Sequence, residues 1–168
     1  MARYEIDPLT SRVKIAGSSS VHPITATATG LTGWLDIERG RDGSLRAATF
    51  AGEVRIAVDR LASGNPLVDR ETRRRIDARK FPEIVGLVTA AVPIDRSGLD
   101  VTGDLTFRGE TRSVRGEIDL AFDDGTVTVA GTQTFDVRNW GLRLPRIGLL
   151  RVHPDVRVDI AVTAHTAT

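Results

Sequence analysis

Apolar and polar residues alternate with a period of two through most of this chain. In 52–58, Val54, Ile56 and Val58 alternate with Glu53, Arg55 and Ala57. In 99–108, Leu99, Val101, Leu105 and Phe107 alternate with Asp100, Thr102, Asp104, Thr106 and Arg108. In 114–122, Val114, Ile118, Leu120 and Phe122 alternate with Arg115, Glu117, Asp119 and Ala121. In 127–137, Val127, Val129, Phe135 and Val137 share one parity with Gly131 and Gln133; in 152–162, Val152, Val156, Val158, Ile160 and Val162 share one face. Such a pattern specifies antiparallel strands that each bury one side. Turn signals separate the runs at Arg41-Asp42-Gly43, Arg96-Ser97-Gly98, Arg108-Gly109-Glu110 and Asp123-Asp124-Gly125. Short gaps make sequence neighbours hairpin partners. Further strand-like runs cover 12–20, 31–38, 45–51 and 83–94. The last is apolar on both parities (Ile84, Val85, Leu87, Val88, Val92), which predicts cover on its outer face as well.

One stretch breaks the alternation. In "SGNPLVDRETRRRIDARKFP", Asn65 is placed to cap a helix and Pro66 to occupy its first position. Asp69 with Arg73, and Glu71 with Arg75, stand at i,i+4 in the favourable orientation. Val68, Thr72 and Ile76 form a thin inward stripe, and Pro82 stops the run. The spacing predicts one helix, near 66–78, in an otherwise all-β chain. The arginine run at 73–75 reads as its solvated face.

About eight strands must hide their edges, and closure into a barrel does so completely. The expected architecture is therefore a single domain, 1–168, built as one antiparallel closed barrel of about eight strands. A barrel of that size is either filled by side chains or holds one small ligand. Fillers are scarce: the chain has 5 Phe, 2 Trp and 1 Tyr against 16 Gly. Composition therefore favours a cavity over a filled barrel. Its expected lining comes from the apolar parities: Val13, Ile15, Val54, Ile56, Leu105, Phe107, Ile118, Leu120, Phe135 and Val158, with Phe50, Phe81 and Trp140 at the mouth.

The segment "VTGDLTFRGETRSVRGEIDL" (101–120) resembles the G-x-L-T-hydrophobic-R-G-x-T-x-x-V signature of the YceI-like, polyisoprenoid-binding, lipocalin-like family, through Gly103, Leu105, Thr106, Arg108, Gly109, Thr111 and Val114. "YEIDPLTSRVKI", with Tyr4, Ile6, Asp7 and Ser11, resembles the family's opening. His22 followed by Gly30, "RRRIDARKFPEIVG" and "FDVRNWGL" resemble further family segments in the expected order. The resemblance implies an extended lipocalin-type barrel. It also implies a long apolar ligand such as a polyisoprenoid or an isoprenoid quinone, bound by a carrier or sequestering protein without cofactor.

Other chemistries find little support. The chain has no cysteine, which excludes thiol catalysis and thiolate metal sites. Its formal charge of +1 lacks the basic excess of a nucleic-acid binder. No apolar run follows a basic start at "MARYEIDPLT", and no membrane span is visible, so the expected location is cytoplasmic. "SSSVH" sets serines beside His22 without the elbow that exposes a nucleophile. No catalytic or metal-binding set is assigned. Two alternatives stay open: an enzyme using His22 and His153 as acid/base groups on a hydrophobic substrate, and a filled-barrel interaction scaffold. A homodimer is compatible with every reading.

The tripeptide Val-His-Pro occurs twice, around His22 and His153. In a closed up-and-down barrel the first long strand pairs antiparallel with the last. That pairing puts the two histidines at one rim, within roughly 10 Å. There they are candidates for a polar rim contact with a ligand head group. The prolines that follow them would end strand pairing.

Overall fold

The period-two runs form antiparallel strands joined by tight hairpins. The computed structural model describes residues 2–20, 23–41, 43–45, 49–142, 146–147 and 150–167. In chain order the strands are β1 (Ala2–Ile6), β2 (Arg12–Ser18), β3 (Pro23–Thr29), β4 (Thr32–Ile37), β5 (Ala51–Ala57), β6 (Glu83–Pro93), β7 (Gly98–Phe107), β8 (Glu110–Asp123) and β9 (Thr126–Asp136). After the short pair β10 (Arg146–Ile147) and β11 (Leu150–Arg151) comes β12 (Asp155–Thr166). The helix α1 (Pro66–Ile76) joins β5 to β6, and 3-10 turns occupy Val58–Arg60 and Val137–Trp140.

The sheet runs β1-β4-β5-β6-β7-β8-β9-β12 and closes where β12 pairs with β1, giving an eight-stranded barrel. β2 and β3 prolong β1 and β4 as one long hairpin. The first stave runs antiparallel to the last, as expected from the sequence. β12 holds β1 through Ala164–Thr166 and β2 through Arg157–Ala161. Where that stave breaks, Ser11 substitutes for the ladder: its buried Oγ donates to Thr163 O at 3.2 Å and accepts from Thr163 N at 3.0 Å. Beyond β2, Ser19 bridges Val152 and His153 N donates to Ser18 O at 2.8 Å. His22 lies outside the described residues, so the distance between the two Val-His-Pro histidines does too.

Two hairpins use the expected turn residues. Arg108 and Gly109 (φ 54° and 74°), like Asp124 and Gly125 (φ 38° and 79°), are left-handed at both central positions. That is the primed turn whose twist matches the flanking strands. β1 and β3 add strands where no run was expected. Of the strand expected over 45–51, residues 46–48 lie outside the described residues; Leu45 forms an isolated bridge to Arg39, and β5 starts at Ala51.

α1 begins as its sequence dictates: Asn65 Oδ1 accepts from Leu67 N at 3.0 Å and Val68 N at 3.5 Å. It ends earlier than Pro82 requires, because Asp77 turns left-handed (φ 60°). Glu71 pairs with Arg75 at 2.8 Å. Asp69 does not take up Arg73; its Oδ1 accepts from Ser63 N at 2.9 Å and Ser63 Oγ at 2.7 Å, drawn to the loop at the helix start.

Among the described residues, the expected cover over β6 is not found. Its outward Leu87 and Val92 are 38% and 62% exposed, and Ile94 just beyond is 52% exposed. A register shift between Val88 and Ala90 reverses which parity faces inward. Ile84, Val88 and, past the shift, Ala91 point inward, while Val85, Leu87 and Val92 share the outer face.

Candidate functional site

Directly paired residues of antiparallel strands project to the same side of a sheet, so the registers define the inner face. Val13 stands opposite Ile160, Ile15 opposite Val158, Val54 opposite Gly86, and Ile56 opposite Ile84. Leu105 faces the same way as Gly86, Ile118 as Leu99, Leu120 as Val129, and Phe135 as Val156. Phe107, Leu105, Val101 and Leu99 follow one another up β7 on this side. All ten residues expected to line an interior thus share one face.

Burial along that face is uneven. At the end holding the chain termini, Tyr4, Leu35, Leu99, Leu120, Val127, Val162 and Ala164 are buried and closely packed. Phe50 is buried there too, at the opposite end from Phe81 and Trp140 and away from the mouth position expected of it, because it directly precedes Ala51, which pairs with Asp36 beside β1. Toward the other end, Ile15, Leu105, Phe107, Ile118, Phe135, Val156, Val158 and Ile160 are only half-buried although they point inward. The contrast is sharpest on β9. Val127 and Val129 are buried, yet Gln133, on the same parity and opposite Val158, is exposed. Gly116 leaves room beside it: a Cβ there would sit 3.4 Å from Gln133 Oε1. The interior is filled at one end and under α1, where Ile56, Val58, Ile76 and Ile84 are buried. Along the arc from β7 round to β2 the inward side chains are half-buried and pack against that core.

The signature around 103–114 builds the rim of the half-buried end. Gly103 is required because a Cβ would lie 2.4 Å from Leu87 O at the β6 bulge. Leu105 O accepts from Trp140 Nε1 at 3.0 Å, which fixes the 3-10 turn over the mouth. Trp140 packs edge-on against Phe135, ring centroids 6.0 Å apart. Gly109, left-handed, lies against the Phe81 ring, which a Cβ would meet at 2.5 Å. Arg108 crosses between these elements and donates from a terminal guanidinium nitrogen to Trp140 O at 3.2 Å. Arg74, Arg75, Arg108 and Gly141 line an open pocket of about 400 Å³ at this rim. Sequence reasoning leaves out the arginines and Gln133. Gln133 carries a legible signal, a polar residue on an apolar parity; the arginines meet only through the topology.

Both described histidines, His153 and His165, are exposed. His165 joins Asp7 at 3.1 Å and Thr126 at 3.1 Å, tying β1, β12 and β9 together near the closed end. This line of acid, imidazole and hydroxyl lies on the outer face, away from the interior. Exterior acids are paired with arginines. Arg3 pairs with Asp36, Arg115 with Asp100, and Arg138 with Asp136; each guanidinium holds its carboxyl below the ordinary range. Asp7 is lowered first by the Leu9 N–H and then by His165. Among the described residues, no three His, Asp or Glu side chains gather into a group that could hold a metal ion, and no helix is long and apolar enough to cross a membrane.

Comparisons with known proteins agree on the architecture. Burkholderia cenocepacia BcnA superposes with a TM-score of 0.80 at 16% identity, over 97% of this chain and 99% of that one. A polyisoprenoid-binding domain from Saccharophagus degradans, implicated in plant cell wall breakdown, gives 0.79 at 13% identity, over 99% and 100%. The Campylobacter jejuni YCEI protein gives 0.64 at 15% identity, over 81% of each chain. No match is found among curated proteins. The family model described as YceI-like domain matches residues 4–164, spanning the whole closed barrel from Tyr4 on β1 to Ala164 on β12, and this chain belongs to that family.

Proposed function

We propose that this barrel binds an elongated apolar molecule, such as a polyisoprenoid or the tail of an isoprenoid quinone, as a carrier or sequestering protein without cofactor or catalysis. One observation carries the reading: inward apolar side chains are only half-buried along the upper β7–β2 arc, while the same face is buried at the other end. Protein interiors otherwise pack to crystal density, so accessible apolar residues on an inner face mark unfilled space. Each methylene buried there contributes about 0.8 kcal/mol, enough for a prenyl chain to bind with few polar contacts. The name of the Saccharophagus degradans relative, a polyisoprenoid-binding domain, supports the ligand class.

The test is a calorimetric titration with geranylgeraniol. Expected are saturable binding with a negative heat-capacity change, the mark of apolar burial, and loss of uptake in Leu105→Arg with the circular dichroism spectrum retained. A wild-type protein that takes up no prenyl alcohol, or a Leu105→Arg variant that still does, contradicts the proposal. The exposed Leu87, Val92 and Ile94 favour a second reading, an interaction surface on the outer face of β6. Sedimentation showing only monomer at high concentration would remove its homodimer form.

A further inference from the structure

A barrel wall is continuous where neighbouring strands share a ladder, and β8 and β9 share theirs over only part of their length. Their register runs from Asp123/Thr126 to Ile118/Gly131 and ends there, although β8 extends back to Glu110 and β9 on to Asp136. Both strands stay paired on their other sides: β8 with β7 as far as Phe107/Glu110, and β9 with β12 as far as Asp136/Asp155. Residues 110–117 and 132–136 therefore form a seam. Glycines mark the point of parting, Gly131 at the last pair and Gly116 two residues on. There the strands meet through the Gln133 side chain: a Cβ on Gly116 would lie 3.4 Å from Gln133 Oε1. At the rim, Arg112 Nε reaches across to donate to Asn139 O at 3.1 Å. Among the described residues no ion pair spans the seam. Arg112 pairs with Glu110 on its own strand, Arg115 with Asp100 on β7, and Arg138 with Asp136.

We infer that the β8–β9 seam is a side gate, parting between Gly116 and Gln133 to let the apolar ligand into and out of the barrel. The inference rests on the binding function proposed above and adds the ligand's route. Segments held by few hydrogen bonds open locally at far lower cost than the ladders around them. Parting here breaks no β8–β9 ladder bond, and the two side-chain contacts it loses lie at the surface, where water replaces them. The seam also leads to the right surface. Behind it stand Leu105, Val114, Ile118, Phe135 and Val158, inward and half-buried. Other approaches are obstructed. The 3-10 turn crosses the mouth with Val137 and Trp140 buried, and the far end of the barrel is packed. At β3, where the ladder also gives out, Thr27 and Ala62 exchange backbone hydrogen bonds at 2.9 and 3.0 Å. Gln133, a polar side chain on an apolar parity, is the plug between the lips.

Two measurements test the gate, one of them without ligand. In hydrogen exchange followed by NMR, the amides of 111–117 and 132–136 that turn away from β7 and β12 should exchange at least about a hundredfold faster than those of the flanking ladders. Protection equal to the flanking ladders would mean a continuous sheet and overturns the inference, whatever the protein binds. The second measurement locks the seam. The chain has no cysteine, so Arg115→Cys/Thr134→Cys, on the outer face beyond the last ladder pair, can be bridged selectively with dibromobimane and the product verified by mass. Geranylgeraniol uptake and release are then followed by stopped-flow tryptophan fluorescence. Bridging should slow both rate constants at least about tenfold and leave Kd within about twofold, while the unbridged double variant keeps wild-type rates. Gln133→Ala, which removes the plug, should speed both rates several-fold. Wild-type rates in the bridged protein overturn the gate and leave the binding function standing. If geranylgeraniol binds to none of these proteins, the binding function fails and the gate with it.

Discussion

Leu105 and Leu120 offer a matched pair. Both project from strands of the same barrel onto its inner face, but Leu120 is buried in the packed end and Leu105 is only half-buried toward the other end. Truncating a packed leucine to alanine loses the transfer free energy of its methyl groups and leaves a hole that the surroundings cannot fill; about 3 kcal/mol or more is the usual cost. Leu120→Ala should show that cost in full. Leu105 is only half-buried, so on the proposed reading its removal creates little new void, and part of its surface was never taken from water. Its cost should be about 1 kcal/mol. At about 2–4 °C per kcal/mol for a domain of this size, Leu120→Ala should lower Tm by roughly 6–12 °C and Leu105→Ala by roughly 2–4 °C. Urea unfolding of both variants, read by circular dichroism, measures the difference at constant temperature. In the presence of geranylgeraniol the order of effects should invert, with Leu105→Ala losing affinity and Leu120→Ala keeping it. Equal destabilisation by the two substitutions would mean that the upper interior is packed, and the cavity argument would fail.

Acid should destabilise the barrel. The carboxyls of Asp36, Asp100, Asp136 and Glu71, bonded to Arg3, Arg115, Arg138 and Arg75, and that of Asp159, bonded first to Thr132, are all lowered by folding. Groups lowered on folding add stability that is fully present above their unfolded values, near pH 4, and is lost as pH falls through the folded ones; Tm should hold from pH 7 to 5 and decline below about 4. Asn65→Ala should cost about 1 kcal/mol by removing the α1 cap, visible as a lower urea midpoint. Val92→Thr, on the uncovered face of β6, should change stability by no more than about 0.5 kcal/mol; a larger loss would show that the face is covered in solution.

Most of the barrel is readable because its strands carry strong apolar contrast. From 98 to 136, β7 and β8 alternate valine, leucine, isoleucine and phenylalanine mostly with charged residues and β9 mostly with threonine, and glycine at Gly109 and Gly125 fixes their turns. β3, "PITATAT", escapes because alanine and threonine differ little in polarity, so its inward Ala26 and Ala28 give no visible period. β6 misleads because its outer face does carry apolar residues, Leu87 and Val92, yet these stand exposed. Phe50 goes to the wrong end for want of topology, since an aromatic in a connection does not say which rim it joins. Face assignment for the interior follows from the alternation. The arginine pocket does not: Arg74 and Arg75 look like an ordinary solvated helix flank, and only the placing of α1 beside the β7–β8 turn sets them near Arg108.

Native mass spectrometry of freshly purified protein, with organic extraction of whatever accompanies it, tests the central claim most directly. The account predicts a mass shift that disappears on extraction and an extract containing a long-chain isoprenoid compound, with the shift diminished in Leu105→Arg. Protein that repeatedly arrives at its bare sequence mass, and remains so after incubation with prenyl alcohols, prenyl diphosphates and isoprenoid quinones, would contradict it.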